Sequence, residues 1–260
     1  MMMKTIHWID GVRARYKRAM EVVMDAVLMV MGILAGTLTT VAGMGGGLMA
    51  VLALSVVMEP SVVLAITAPA LLVGNLHRLV TWRTRVDVVV VRPLLAGALP
   101  GALLGGFAVA WVPSWVLRVA MAGVLVLAIL RASGRISMRW PPRVLIPVGG
   151  GVGVLSAMGS GAGVLVGPVL MGAGLTGEPY VATSAAVGVT IHVGRLIAYG
   201  AGGLLHAGLA WPTLLLTLSI LVGNGVGKLL RRFMDAAVTT RVEVTAMVVS
   251  VALAAVGVSR

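Results

Sequence analysis

The sequence contains no cysteine, which excludes disulfide bonds, thiolate metal sites and cysteine nucleophiles together. Acidic residues are also scarce: the chain has eight Asp and Glu residues, and most of them lie at the ends of apolar segments. Their near absence from segment centres argues against a carboxylate proton relay and against a cation site built from several carboxylates.

Catalytic signatures are missing as well. The chain has no nucleotide-binding loop, no HExxH metal pair and no nucleophile elbow, and no nucleophile and base pair stands out. These absences disfavour ATP-driven transport by this chain alone and intramembrane metalloprotease chemistry. We expect a protein that is not an enzyme and that carries no cofactor and no metal.

Apolar residues dominate what is present. Hydrophobic residues make up 59% of the chain and charged residues 11%, and the mean hydropathy is +1.07. A water-soluble globule of this composition would expose far too much apolar surface. Long apolar runs such as 88–111 and 180–203 reach the roughly 20 residues that a helix needs to cross a bilayer, and no alternating strand pattern recurs. The sequence therefore predicts an all-α polytopic membrane protein in contact with the lipid bilayer.

Positive charge, a formal net +12, is gathered in a few short stretches. Such stretches anchor membrane topology by the positive-inside rule, and we favour that interpretation over nucleic-acid binding. Residues 1–21 form a basic arm ahead of the apolar run 22–42. That run is longer than the core of a signal peptide and lacks a convincing cleavage site, so we expect a retained, cytoplasmic-type arm and a first membrane helix.

Ten apolar segments follow one another along the chain. They are 22–42, 48–58, 62–81, 88–111, 115–131, 144–158, 164–175, 180–203, 211–229 and 242–258. The second and the seventh are short, and a helix of about a dozen residues covers only about half of a bilayer core. Each follows a glycine-rich break, Gly43-Met44-Gly45-Gly46-Gly47 or Gly159-Ser160-Gly161-Ala162-Gly163. We predict short broken or re-entrant helices at these breaks.

The two breaks indicate an internal duplication. When the chain is slid onto itself, polar residues of the first half fall on polar residues of the second, and small insertions then bring later glycines into line. The matched pairs are Ala65 and Ala182, Thr67 and Ser184, Asn75 and His192, Arg78 and Arg195, Gly101 and Gly223, and Gly105 and Gly227. The predicted division is a basic N-terminal arm at 1–21, a membrane repeat at 22–132, a basic linker at 133–143 and a second membrane repeat at 144–260.

Two topologies stay open. A re-entrant hairpin and three crossings in each half make the count odd and the halves inverted. This arrangement places three basic stretches, 83–85, 131–143 and 228–232, on one side of the membrane. The N-terminal arm then violates the positive-inside rule. A single kinked crossing at the first break makes the arm cytoplasmic but misplaces the basic stretch after Lys228. Neither arrangement satisfies every charge, and we slightly favour inverted repeats.

Polar residues inside the apolar segments define a candidate anion site. A glycine break frees backbone amides and exposes the positive end of a half-helix, which suits an anion. Asn75 with Arg78, and His192 with Arg195, are spaced three apart, so each pair shares one helix face and can bind an oxyanion through charge-assisted hydrogen bonds. The candidate substrate-binding residues are Gly45, Gly46, Gly47, Thr67, Asn75, Arg78, Gly161, Ala162, Gly163, Ser184, His192 and Arg195.

Each candidate also has a structural interpretation. Glycines let helices pack closely, and Arg78 lies a few residues from Trp82 and can snorkel to the membrane interface. A lone membrane histidine such as His192 is at least as often a packing residue, and the hydroxyl of Thr67 can bond back to its own helix.

The paired signatures of the TauE/SafE sulfite exporter family, also called the toluene sulfonate uptake permease family, resemble two segments of this chain. These are GILAGTLTTVAGMGGGLMAVLAL and GVGVLSAMGSGAGVLVGPVLMGAGLTGEPYVATSAAVG. The resemblance covers nearly the whole chain after the basic arm. It implies a secondary carrier of sulfite, sulfonates or related organosulfur anions, with about seven to eight crossings built from a duplicated unit. The chain departs from the pattern in the first half, where Val51–Ala53 stand in place of a frequent proline, whereas the second half keeps Pro168.

The leading hypothesis is a bacterial inner-membrane transporter that binds a small anion between the two repeats. Its direction, its coupling proton or ion, the identity of the anion and the oligomeric state are left open by the sequence. The rival hypothesis is a membrane scaffold or assembly factor, in which the glycines serve packing and the basic arm binds a partner.

Overall fold

Most of the helices follow the predicted apolar segments closely. The computed structural model describes residues 2–43, 45–132, 141–234 and 238, and every regular element in this part of the chain is helical. The α-helices are α1 Met2–Ala42, α2 Gly46–Leu54, α3 Pro60–Thr81, α4 Val88–Val109, α5 Ser114–Ala132, α6 Leu145–Gly159, α7 Ala162–Gly172, α8 Gly177–Ala201 and α9 Ala210–Leu230. The all-α class is confirmed for these residues. The predicted segment 242–258 and most of the basic linker lie outside them.

Five of the described helices are long and apolar enough to cross a bilayer, which makes the chain a multi-pass membrane protein. The spans are Arg15–Ala42, Pro60–Thr81, Val88–Val109, Gly177–Ala201 and Ala207–Phe233. Large apolar side chains such as Val89, Leu104 and Val119 are exposed on the outer helix faces, where they suit lipid contact. The basic arm continues directly into the first span, because α1 begins at Met2. The total number of crossings stays a prediction.

Short helices follow both breaks, as predicted. The helix α1 ends at Ala42 and α6 ends at Gly159, and α2 and α7 start only a few residues later. The N-cap residues Gly45 and Gly161 have φ angles of 87° and 85°, a backbone conformation that glycine adopts without the steric penalty of a Cβ atom. The glycines therefore turn the chain between two helices at each break.

The helices α4 and α6 pack in close contact through glycine. A Cβ atom placed on Gly101 would lie 2.1 Å from the carbonyl oxygen of Gly150, and one on Gly105 would lie 2.5 Å from the carbonyl oxygen of Val154. Real Cβ atoms do not approach backbone this closely. Because Gly101 and Gly105 have no side chains, α4 and α6 can approach each other to backbone contact.

The helices α1 and α9 pack in the same way. A Cβ atom on Gly223 would lie 2.2 Å from the carbonyl oxygen of Ile33, and one on Gly227 would lie 2.8 Å from that of Thr37. The alignment of the two halves of the sequence pairs Gly223 and Gly227 with Gly101 and Gly105 of α4. The first helix of each half therefore packs on a later helix of the other half, which is the pattern expected of a duplicated unit.

The helices α3 and α8 lie against each other at the centre of the molecule. In the apolar 18-residue stretches of α3 and α8, 61% and 72% of the residues are buried, a larger share than in the other three spans. Because α2 and α7 begin beside these two helices, both breaks come to the middle of the protein.

Candidate functional site

A cavity of about 40 Å³ lies where the two breaks meet α3 and α8. Both halves of the chain contribute to its wall. The lining residues are Thr39, Gly43, Gly45, Gly47, Leu48, Leu71, Asn75, Arg78, Ser160, Gly161, Ala162, Gly163, Ser184, Gly188 and His192. Among these described residues there is one arginine and no acidic side chain.

Two helix N-termini meet at this cavity. The first residues of α2 and of α7, including Gly47 and Gly163, belong to the lining. The first amides of a helix have no partner inside that helix, and neither Gly45 nor Gly161 caps them with a side chain. The positive ends of two helix dipoles are therefore directed to one small space, where they favour negative charge.

Arg78 brings the permanent positive charge to the cavity. Its side chain is buried, with 4% exposure, and Nη1 donates to the carbonyl oxygen of Thr39 over 2.8 Å. Its Nη2 donates to Oδ1 of Asn75, whose Nδ2 in turn donates to the carbonyl oxygen of Leu71 over 2.7 Å. These bonds fix the guanidinium in place and leave further N–H groups for a ligand, since an arginine has five. The snorkelling interpretation of Arg78 does not fit this buried position.

His192 reaches the cavity from α8, and Ser184 lies two turns earlier on the same helix. The Ser184 hydroxyl is 3.4 Å from the carbonyl oxygen of Gly43, which ties α8 to the first break. The imidazole of His192 is 3% exposed, and its Nδ1 lies 3.3 Å from Nη1 of Arg195. A serine hydroxyl and an imidazole thus add hydrogen-bonding groups on the side of the second repeat.

The structure brings most of the predicted residues together at this cavity. They are Gly45, Gly47, Asn75, Arg78, Gly161, Ala162, Gly163, Ser184 and His192. Three others lie elsewhere. Gly46 packs against the Ala35 carbonyl, the Thr67 hydroxyl donates to the carbonyl oxygen of Val63 over 2.7 Å, and Arg195 is fully buried behind His192.

The sequence as a whole matches a known protein family. The family model described as "Sulfite exporter TauE/SafE" matches residues 28–255, nearly the whole chain. The chain belongs to the sulfite exporter TauE/SafE family. The family resemblance predicted from the paired signatures is thereby confirmed. No curated protein and no solved structure matches the chain.

Membership of the TauE/SafE family makes the chain a member of a transporter family, and both glycine breaks lie inside the matched range. In this TauE/SafE protein, α2 and α7 begin within the two breaks, and residues of their first turns line the cavity. The two signature segments therefore supply most of the cavity lining, and Leu71, Asn75, Arg78 and His192 are added from outside them.

Several lining residues were missed by the sequence analysis. Leu71 and Gly188 lie one helical turn before Asn75 and His192, so helical periodicity would have placed them on the same faces. Gly43 and Ser160 belong to the breaks themselves and were passed over in favour of the glycines that follow them. Ser160 has a φ angle of 64°, which is unusual for a residue other than glycine.

Gly188 leaves the space that Asn75 occupies. A Cβ atom on Gly188 would lie 2.7 Å from Oδ1 of Asn75. We therefore expect Gly188→Ala to displace Asn75, to release Arg78 from its bond and to weaken anion binding by about tenfold, or about 1.4 kcal/mol. Titration of the purified variant with labelled sulfite measures this effect.

The matched control for this variant is Gly200→Ala on the same helix. A Cβ atom there would lie 3.8 Å from Cδ1 of Leu205, an ordinary contact. Wild-type affinity in Gly200→Ala together with reduced affinity in Gly188→Ala is the expected result. Equal affinity in both variants would show that the position of Asn75 does not matter for binding.

Proposed function

We propose that this TauE/SafE protein is a secondary transporter that binds a small sulfur oxoanion, such as sulfite, in the cavity between α2, α3, α7 and α8. The supporting observation is that two uncapped helix N-termini and the guanidinium of Arg78 share one cavity, and that its described lining contains no acidic side chain. In a buried setting of low dielectric constant, such an arrangement strongly favours an anion over a neutral solute or a cation.

The size of the cavity supports a compact substrate. A cavity needs a volume of roughly 10–15 Å³, measured at the centre of a water-sized sphere, to hold one water molecule. The cavity volume of about 40 Å³, measured in the same way, has room for about three waters. An ion made of one sulfur and three oxygens matches this volume better than an arylsulfonate, whose ring would need a wider opening. We therefore favour sulfite over toluenesulfonate as the bound anion.

The two repeats suggest how access would alternate. One helix N-terminus comes from each repeat, so a movement of one repeat against the other would separate the donors and release the anion. In this proposal the repeats are inverted, the protein works in the bacterial inner membrane, and no catalytic step takes place.

Transport in proteoliposomes tests the proposal. Vesicles that contain the purified protein should take up or release labelled sulfite faster than empty vesicles, and excess unlabelled sulfite should compete. Toluenesulfonate should compete much more weakly. If neither sulfite nor any other small oxoanion moves or binds, the proposed function is wrong.

Ligand-dependent thermal stabilisation gives an independent measurement. Sulfite at 100 times its dissociation constant should stabilise the folded protein by about 2.7 kcal/mol. Chloride at the same ionic strength is the control for a general salt effect. A membrane scaffold would show no difference between the two salts.

A further inference from the structure

Arg78 and Arg195, which the alignment of the two halves pairs, differ in their position relative to the cavity. Arg78 lines the cavity, whereas Arg195 lies outside the lining and is 0% exposed. His192 both contacts Arg195 and lines the cavity. The first repeat therefore brings both Asn75 and Arg78 to the cavity, whereas the second brings His192 but not its arginine.

Arg195 is held in place by three neighbours. Its Nη2 donates to the carbonyl oxygen of Leu64 over 3.1 Å, and its Nε donates to the hydroxyl of Tyr199 over 3.1 Å. The Tyr199 hydroxyl then donates to the carbonyl oxygen of Ala157. The third neighbour is His192, 3.3 Å from Nη1. The guanidinium thus links α8 to α3, the Tyr199 hydroxyl links α8 to α6, and Arg195 has little freedom to move.

The contact with His192 fixes the tautomer of the imidazole. Arginine has five N–H donors and no acceptor, so Nδ1 of His192 must accept the hydrogen bond from Nη1. The ring proton then lies on Nε2, the nitrogen that does not contact Arg195. His192 lines the cavity, and Nε2 is the ring nitrogen that the contact with Arg195 does not use.

We infer that Arg195 is a positioning residue, which orients His192 so that its Nε2–H donates a hydrogen bond to the anion. This inference rests on the proposed function and concerns the same site. The bound anion then receives N–H donors from Arg78 on α3, from His192 on α8 and from the first turns of α2 and α7. Only Arg78 among these side chains carries a permanent charge.

A double-mutant cycle tests the inference, with labelled sulfite as the probe. Arg195→Met and His192→Ala should each weaken sulfite binding by about tenfold, or about 1.4 kcal/mol. If Arg195 acts through His192, the double variant should bind no more weakly than His192→Ala, within about twofold. If Arg195 instead attracts the anion by its own charge, or merely supports the fold, the two losses will multiply and the inference is wrong.

Two further variants keep the test decisive if Arg195→Met does not fold. Tyr199→Phe removes the hydroxyl that holds Nε of Arg195, and it should weaken binding in the wild-type background but not beside His192→Ala. Arg195→Lys keeps a donor for Nδ1 and should lose less affinity than a variant without one. Losses from Tyr199→Phe that persist beside His192→Ala would overturn the inference.

The failure of this inference is separable from that of the proposed function. Wild-type protein that shows no specific sulfite binding contradicts the proposed function itself. Wild-type protein that binds sulfite, together with losses at Arg195 and His192 that multiply, contradicts only the role of Arg195.

Discussion

Replacing Arg78 with methionine is expected to weaken sulfite binding by about 100-fold, which corresponds to about 2.8 kcal/mol. Arg78 is the one arginine in the described cavity lining, and its guanidinium is fixed by Thr39 and Asn75. A methionine has a similar length but neither the charge nor the donors. Equilibrium binding of labelled sulfite to purified protein measures the loss.

The conservative variant Arg78→Lys should fall between wild type and Arg78→Met. A lysine keeps the charge but cannot donate to Thr39, Asn75 and an anion in the planar geometry of a guanidinium. The control is Arg92→Met on α4, because Arg92 is exposed and does not line the cavity. Folded Arg78→Met protein with wild-type affinity would remove the cavity from consideration as the anion site.

A leucine in place of Gly101 should cause the largest loss of stability. The Cβ atom alone would lie 2.1 Å from the carbonyl oxygen of Gly150, and backbone cannot move aside as a flexible side chain can. The helices α4 and α6 must then separate, which we expect to cost about 3 kcal/mol or more. The thermal unfolding midpoint of the protein in detergent should fall by several degrees.

Gly151→Leu is the matched control for this loss. Gly151 lies next to Gly150 on α6, but a Cβ atom there would meet nothing within 4 Å, and the position is exposed. A leucine at this site extends toward lipid and should leave the midpoint nearly unchanged. Equal midpoints for the Gly101 and Gly151 variants would show that close helix contact is not what the glycines of α4 provide.

The helices were predictable because the bilayer imposes their length. A run of about 20 apolar residues has few alternatives to a helix that crosses the bilayer. The apolar runs that follow the glycine breaks are only about a dozen residues long, so the helices that they form are short. The boundaries of α3 and α8 differ from the predicted segments by only a few residues for this reason. The glycine breaks were also informative, since backbone that leaves the helix at membrane depth must line a cavity or be buried in protein.

The different positions of Arg78 and Arg195 relative to the cavity could not be predicted. Both arginines lie in apolar segments and each follows a polar residue at the same spacing. Which of them faces the cavity depends on long-range contacts: the Leu64 carbonyl accepts from Arg195, and the Ala157 carbonyl accepts from Tyr199, which holds Arg195 away from the cavity. Local sequence carries no record of such tertiary contacts.

Leu71 and Gly188 illustrate a second limit of prediction. Neither side chain offers polar chemistry, so a search for binding residues passes over them. Their contribution is to shape: Gly188 leaves room for Asn75, and Leu71 lies beside Gly47. Only the packed structure reveals which apolar positions limit the size of a site.

The exchanged packing of first helices has a consequence for the ancestry of the chain. The helix α1 lies against α9 and α6 lies against α4, so each half covers the glycine surface of the other. In a half-length chain, the glycine surface of the later helix would lack the helix that covers it here. On our proposal of a duplicated unit, a single-unit ancestor would have needed to pair with a second copy of itself, each copy covering the glycine surface of the other with its first helix.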